Sequence, residues 1–80
     1  MPIYLLEHRH DAADCDATFA SWRGFESPLR DHRVESTCLA GGHRLWWRVE
    51  AENAEAALAL LPRFVATRTD PIQVRDVELP

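Results

Sequence analysis

Apolar and polar residues alternate along four short stretches of the chain, and each alternation predicts a β-strand. The alternation is strongest after the diglycine at 41–42, where Leu45, Trp47 and Val49 share one face and Trp46 makes the other face partly apolar. Glycine tolerates the positive φ that a tight hairpin turn requires. The pattern therefore predicts a diglycine hairpin between the middle two of four strands, over Ile3–His10, Val34–Ala40, Arg44–Ala51 and Ile72–Leu79.

Apolar residues at spacings of three and four predict two helices between these strands. The first should begin after Asp11 as N-cap and end at Gly24. Its apolar stripe comprises Ala12, Cys15, Phe19 and Trp22. The second should begin after Asn53, stop near Pro62, and carry an apolar stripe of Ala54, Ala57, Leu58 and Leu61.

Two stretches between these elements are predicted to be irregular. The segment from Phe25 to Arg33 reads as a loop or a short helical turn, because it contains a Ser-Pro dipeptide. The segment around Phe64 should add apolar cover to the core, with Phe64 itself buried. Asp70-Pro71 should then force an extended break before the last strand.

The order of elements, β-α-β-β-α-β, predicts an α+β fold. With right-handed crossovers it resolves into a ferredoxin-like antiparallel sheet of order 4-1-3-2, and residues 1–80 form a single domain. Two helices should cover one face of the sheet, while the other face bears Trp46. Because large exposed apolar patches are unusual on monomers, a homodimer joined through the helix-free faces is expected.

Composition narrows the class of protein. Hydrophobic residues make up 46% of the chain and charged residues 28%, which is typical of a globular domain. All nine basic residues are Arg, and the formal net charge is −4. The chain therefore does not have the excess of positive charge that is typical of nucleic-acid-binding proteins. No apolar run approaches the roughly 18 residues of a membrane span. No signal peptide is recognised, and a cytoplasmic location without membrane contact is expected.

A resemblance to known proteins rests on the element order and on the end of the second helix, which reads Ala57-Leu58-Ala59-Leu60-Leu61-Pro62. In this layout the chain resembles the small dimeric α/β-barrel families. It is similar to muconolactone isomerase and to short actinobacterial domains of unknown function, some of which bind nickel. The resemblance implies the fold and dimerisation. No catalytic residue of muconolactone isomerase is carried over to a position in this chain.

The predicted topology collects chemically active side chains at one edge of the sheet, because the end of the first strand lies beside the start of the third. His8 and His10 emerge on the same face of a strand about 7 Å apart, a spacing that suits two ligands of one metal. His43 on the neighbouring strand can be the third ligand if the strand phase turns it to the same face. The whole set at this edge is His8, His10, Asp11, Asp14, Cys15, Cys38, His43, Arg68, Thr69 and Asp70.

The type of ligand atom determines which metal ion the site would prefer. A site of His8, His10 and His43 would favour nickel, copper or zinc, because these ions prefer neutral imidazole. A cysteine thiolate would shift the preference to zinc or copper(I). Cys15 and Cys38, however, are too few for a disulfide framework and are not spaced as a zinc knuckle, so they are interpreted as small buried apolar residues.

Two function classes stay open. One is a small cytoplasmic binding module that holds a metal ion or a small apolar ligand near the end of the first strand. The alternative is an isomerase or cyclase that needs no cofactor and acts on a small organic acid or aromatic compound. In that enzyme His8, His10 or His43 would move a proton, while Arg44 or Arg68 held a carboxylate. The aromatic side chains of Phe19, Trp22, Trp46, Trp47 and Phe64 are either core or the lining of an apolar ligand pocket.

Overall fold

A computed structural model describes all 80 residues of the chain. Four strands form one antiparallel sheet with the order β2-β3-β1-β4, which has the strand neighbours that the sequence predicts. The α+β class and the open antiparallel sheet are therefore confirmed. The strands are β1 (Ile3–Arg9), β2 (Glu35–Ser36), β3 (Arg44–Glu50) and β4 (Thr69–Val74), and the helices are α1 (Cys15–Ala20), α2 (Ala54–Leu58) and α3 (Arg63–Ala66).

The register of β1 against β3 determines which face of the sheet is buried. Leu6 lies opposite Trp47 and His8 lies opposite Leu45, and all four side chains are buried. Directly opposed residues in an antiparallel pair point to the same face. The alternating residues of β1 and β3 therefore build one continuous core layer, which His8 extends toward the end of β1.

The loop between β2 and β3 is longer than predicted. Only Glu35–Ser36 pair with β3, and a 3-10 turn over Cys38–Ala40 replaces the rest of the expected strand. Gly41 has a φ of 84°, as a tight turn requires, but Gly42 does not have positive φ. A Cβ at Gly42 would collide with the side chain of Thr37, so this glycine is needed for close packing within the loop. The prediction of a two-residue diglycine hairpin is wrong.

The first helix is shorter than predicted, and its buried face is different. A 3-10 turn over Ala12–Asp14 precedes α1, and the side chain of Asp11 makes no capping hydrogen bond. Thr18 is the fully buried residue of α1, where its hydroxyl donates to the carbonyl of Asp14 at 2.9 Å. Phe19 is 53% exposed. The predicted apolar stripe is therefore wrong at Phe19. Thr18 is buried in its place, because its hydroxyl is hydrogen-bonded within its own helix.

Two short helices occupy the predicted second helix and the segment after it. Asn53 caps α2 as predicted, since its side-chain oxygen accepts from the amide of Ala56 at 2.8 Å. Pro62 ends this stretch and is followed directly by α3, where an irregular segment was expected. Val65 is completely buried in the core, whereas Phe64 is only half-buried. The prediction that Phe64 provides the buried anchor is wrong by one residue.

The last strand lies earlier in the chain than predicted. β4 begins at Thr69 and ends at Val74, so Pro71 lies inside the strand instead of breaking it. A proline is tolerated there because β4 is an edge strand with a neighbour on only one side. Residues 75–80 are irregular and exposed. None of the helices has the length or the apolar character needed to cross a membrane.

Candidate metal centre

Four metal-binding side chains from separate parts of the chain meet beyond the end of β1. His10 follows β1, Cys15 begins α1, Cys38 begins the 3-10 turn after β2, and His43 precedes β3. One donor atom from each residue lies within 4.8 Å of the donor atoms of the other three. The backbone supports this meeting, because the amide of His10 donates to the carbonyl of His43 at 3.2 Å.

Three of the separations between the donor atoms are close to those around a tetrahedral ion. Cys15 Sγ lies 3.2 Å from His10 Nε2 and 3.1 Å from His43 Nδ1. Cys38 Sγ lies 3.8 Å from His10 Nε2. Zinc bonds of roughly 2.0–2.3 Å in a tetrahedron place neighbouring donors about 3.6 Å apart. The cluster can therefore hold an ion with small movements of its side chains.

His8 supports the cluster from behind. Its side chain is fully buried, and its Nε2 lies 3.0 Å from Nδ1 of His10. Its Nδ1 lies 3.2 Å from the carbonyl oxygen of Val65 and 3.2 Å from the hydroxyl of Thr69. Both ring nitrogens of His8 are thus engaged by protein groups, so this imidazole orients His10 rather than facing the four-donor cluster.

The hydrogen bonds around His8 assign the proton positions on both imidazoles. The hydroxyl of Thr69 donates to the Val65 carbonyl at 2.7 Å, and that carbonyl can only accept. Nδ1 of His8 must therefore carry a proton, which leaves its Nε2 free to accept from Nδ1–H of His10. In the neutral His10 ring this leaves an unprotonated Nε2 beside the two thiols. A hydrogen bond on the far nitrogen is the usual way in which a metal-ligating histidine is held.

Burial adjusts the protonation of the cluster. It lowers the pKa of His8 below its usual value of 6.5, and the neighbouring charge of His10 lowers it further. Burial also lowers the pKa of His10, with a second contribution from His43, while Asp14 and Asp11 act in the opposite direction. Both imidazoles are therefore neutral at neutral pH, which is the form that binds a metal.

Burial also affects the thiol of Cys15. It raises the pKa of Cys15 above its usual value of 9.0, and the proximity of Cys38 raises it further. At neutral pH the metal-free form of Cys15 is thus a thiol. A metal that binds through its thiolate must displace this proton.

His43 reaches the cluster through an uncommon backbone conformation. Its φ is 51°, in the left-handed region that residues other than glycine rarely occupy. This conformation precedes β3 directly and brings Nδ1 against the sulfur of Cys15. Asp31 is the other non-glycine residue in this region, with a φ of 64°.

The structure brings together the three histidines singled out from the sequence. His8, His10 and His43 share one side of the sheet edge. The ring centroid of His10 lies 5.1 Å from that of His8 and 5.5 Å from that of His43. His10 and His43 contribute to the four-donor cluster, and His8 stands behind His10.

The arginines proposed as carboxylate holders are not members of the four-donor cluster, although the charge of Arg68 is near enough to help lower the pKa of His8. Arg44 is exposed and alternates with the buried Leu45, so it points to the opposite face of the sheet. The guanidinium of Arg68 stacks over the ring of Phe64 at 3.8 Å and donates to the carbonyl of Phe64. Neither guanidinium makes a hydrogen bond to a histidine, and their role as carboxylate holders stays a prediction.

Sequence reasoning placed the two cysteines at this edge of the sheet but did not name them as ligands. Both are half-buried free thiols, and Cys38 also packs against the hydrophobic core. Their spacing along the chain carries no zinc motif, since 22 residues separate Cys15 from Cys38. The signal that pointed to them was the predicted topology, which brings both to the sheet edge where His10 and His43 also fall.

Comparisons with protein-family models, curated proteins and solved structures give no match for this chain. The resemblance to muconolactone isomerase and related small barrels therefore stays a prediction.

Proposed function

We propose that this chain is a small metal-binding domain that holds one transition-metal ion. The ligands are Nε2 of His10, Sγ of Cys15, Sγ of Cys38 and Nδ1 of His43. The observation that carries this proposal is the convergence of these four donors within 4.8 Å of one another. Two nitrogens and two thiolates are a donor set typical of protein zinc sites.

The donor set favours zinc over the other ions that the histidines alone would accept. Thiolate ligands select zinc or copper(I), whereas nickel(II) and copper(II) prefer square-planar or tetragonal sites of nitrogen and oxygen. Four protein ligands also complete a tetrahedron, and such closed zinc sites are structural. Catalytic zinc sites keep one position for water. The proposed role of the ion is therefore to hold the fold or to be stored, not to activate a substrate.

The small core gives a structural reason for such an ion. Only 14 of the 80 residues are buried, and four of those are polar. Domains of this size gain stability from disulfides, metals or oligomerisation. Neither cysteine is in a disulfide. Free thiols suit a reducing compartment such as the cytoplasm, where a metal can replace the disulfide as a cross-link.

The proposal includes a homodimer formed through the second face of the sheet. Ile3, Leu5, Trp46, Ile72 and Val74 form an apolar strip on this face by strand register, and Ile72 is 43% exposed. The charged residues Glu7, Arg48 and Asp70 lie on the same face. The ring nitrogen of Trp46 donates to Glu7 at 3.1 Å, which leaves the apolar body of the indole to face a partner. A second copy would present the same apolar strip, as two-fold interfaces require.

Metal titration of tag-free protein tests the proposed centre. The protein is stripped with a chelator under reducing conditions and titrated with Zn²⁺ by calorimetry, and we expect a stoichiometry of one ion per chain. Co²⁺ in place of zinc should give intense sulfur-to-metal charge-transfer absorption, which reports thiolate ligation directly. Replacing Cys15 and Cys38 together by Ser should remove that absorption. The exposed His32, which lies outside the cluster, provides the control His32→Gln.

The titration can also reject the proposal. Binding of zinc no tighter than millimolar by the unmodified protein would contradict it. So would a Co²⁺ spectrum that the double serine variant leaves unchanged, because the cysteines would then not be ligands.

A further inference from the structure

A cavity of about 230 Å³ lies on the buried face of the sheet, away from the metal cluster. β3 forms its floor, and the segment between α1 and β2 forms its walls. It is lined by Phe19, Trp22, Arg23, Leu29, Arg30, Asp31, His32, Val34, Leu45 and Trp47. Of the aromatic residues singled out from the sequence, three line this cavity, while Trp46 and Phe64 lie elsewhere.

The inner part of the cavity is aromatic and aliphatic. The indole of Trp22 lies 5.8 Å from that of Trp47 and meets the ring of Phe25 edge-on at 6.0 Å, measured between ring centroids. Leu45 and Trp47 belong to the buried layer of β3 and are nearly inaccessible to solvent. An apolar cavity of roughly 150 Å³ is large enough for benzene. The present cavity therefore has room for one aromatic ring with a small substituent.

The rim of the cavity is basic. Arg23 and Arg30 are both exposed there, and neither takes part in an ion pair, since the two ion pairs of the chain involve Arg9 and Arg48. The two arginines and Asp31 give the rim a formal charge of +1, whereas the net charge of the whole chain is −4. Guanidinium groups bind carboxylates through paired hydrogen bonds. The rim can therefore bind an anion, although the chain as a whole is negatively charged.

We propose that this cavity binds a small aromatic carboxylate. The ring of the ligand packs against Trp22 and Trp47, which line the cavity side by side, and its carboxylate meets Arg23 and Arg30 at the rim. A single aromatic ring fills the cavity, and the two arginines without carboxylate partners supply the charge that an aromatic acid requires. This site shares no residue with the four metal donors, so it does not depend on the metal-binding proposal.

Binding of benzoate, compared with benzyl alcohol, tests the site. The two probes share the ring and differ in charge, and quenching of tryptophan fluorescence together with calorimetry measures both. We expect benzoate to bind the tag-free protein about tenfold more tightly or better, as charge-assisted hydrogen bonds imply. The double variant Arg23→Gln/Arg30→Gln should lose this preference and keep weak binding of benzyl alcohol. Arg63→Gln, an exposed arginine on α3 outside the cavity, is the matched control and should retain the preference.

Three results would overturn the proposal. They are no binding of benzoate, equal affinity for the two probes, and an unchanged preference in the Arg23→Gln/Arg30→Gln variant. Circular dichroism of each variant shows whether it is folded, and since the arginines are exposed we expect no loss of structure. A zinc titration on the same preparation shows whether the metal centre is present, so failure of benzoate binding can be told apart from failure of the metal-binding proposal.

Discussion

Nδ1 of His10 donates a hydrogen bond to Nε2 of His8 across 3.0 Å, and this contact determines which nitrogen of His10 faces the cysteines. His8 in turn is held by the Val65 carbonyl and by Thr69 in the protein core. The candidate metal centre at the surface is thus oriented by hydrogen bonds that begin in the core.

Replacing His8 should weaken zinc binding without changing its stoichiometry. His8→Leu removes the acceptor for His10 Nδ1–H, and loss of such an outer hydrogen bond typically lowers metal affinity about 10–100-fold. Calorimetric titration with zinc, or competition with a chelator of known affinity, measures the change. His32→Gln serves as the control. An unchanged affinity in His8→Leu would show that the His8 contact does not orient the ligand.

The metal-free protein should lose stability as the pH falls from 7.5 to 5.5. The pKa values of His8 and His10 are lowered in the folded state, so the unfolded chain binds more protons below the usual histidine pKa of 6.5. The stability linked to these groups is present above pH 6.5 and is lost as the pH falls toward their folded pKa values. Urea unfolding at several pH values measures this loss. In His8→Leu the dependence should be smaller, and an equal slope in this variant would contradict the assignment.

Asparagine in place of His43 should separate stability from metal binding. The left-handed conformation at this position costs about 1 kcal/mol or more for most residues, whereas asparagine tolerates it better. His43→Asn should therefore leave the metal-free protein as stable as before or up to about 1 kcal/mol more stable. Its zinc affinity should fall, because one of four ligands is lost. Urea unfolding of the metal-free protein and zinc calorimetry measure the two effects, and a variant that kept full zinc affinity would exclude His43 as a ligand.

Val65, not its neighbour Phe64, should anchor α3 to the core. Val65 is completely buried, so Val65→Ala should cost about 2 kcal/mol of unfolding free energy from lost burial and the cavity left behind. Phe64 is half-buried and stacked on Arg68, so Phe64→Ala should cost less than the roughly 3–5 kcal/mol of a fully buried phenylalanine. Urea unfolding of both variants provides the comparison. Val65→Ala should also perturb zinc binding slightly, because the Val65 carbonyl holds His8.

Arginine at position 46 should disrupt the proposed dimer. Trp46→Arg places a charge within the apolar strip of the second sheet face and removes the indole that Glu7 now orients. Sedimentation of the wild type should give the mass of two chains at micromolar concentration, and the variant should sediment as one chain. Zinc binding should survive in the variant, since Trp46 lies on the face opposite His8. A monomeric wild type would refute the dimer.

The sheet was readable from the sequence because alternation is a local signal. Leu45, Trp47 and Val49 point inward as their pattern requires, and the pairing order of the strands follows from the element order. The phase between β1 and β3 was not readable, because it depends on the register of two distant segments. It is this register, with His8 opposite Leu45, that turns the histidines to one side.

The cysteines and the helices were less predictable because their positions depend on tertiary contacts. Cys38 leaves the expected strand, since the 3-10 turn that contains it is set by packing of Gly42 against Thr37. Thr18 replaces Phe19 on the buried side of α1, where its hydroxyl is satisfied within the helix. The sequence therefore placed all four clustered donors at one edge of the sheet, but only His10 and His43 among them were named as ligands.

The two cysteines of the cluster enclose the part of the chain that forms the aromatic cavity. Eight of the ten lining residues lie between Cys15 and Cys38. An ion bound to both thiolates closes residues 16–37 into a loop and so lowers the number of conformations open to that segment before any ligand arrives. Ordering of the cavity then costs less chain entropy when benzoate binds. By thermodynamic linkage, zinc should raise the affinity for benzoate, and benzoate should raise the affinity for zinc by the same factor.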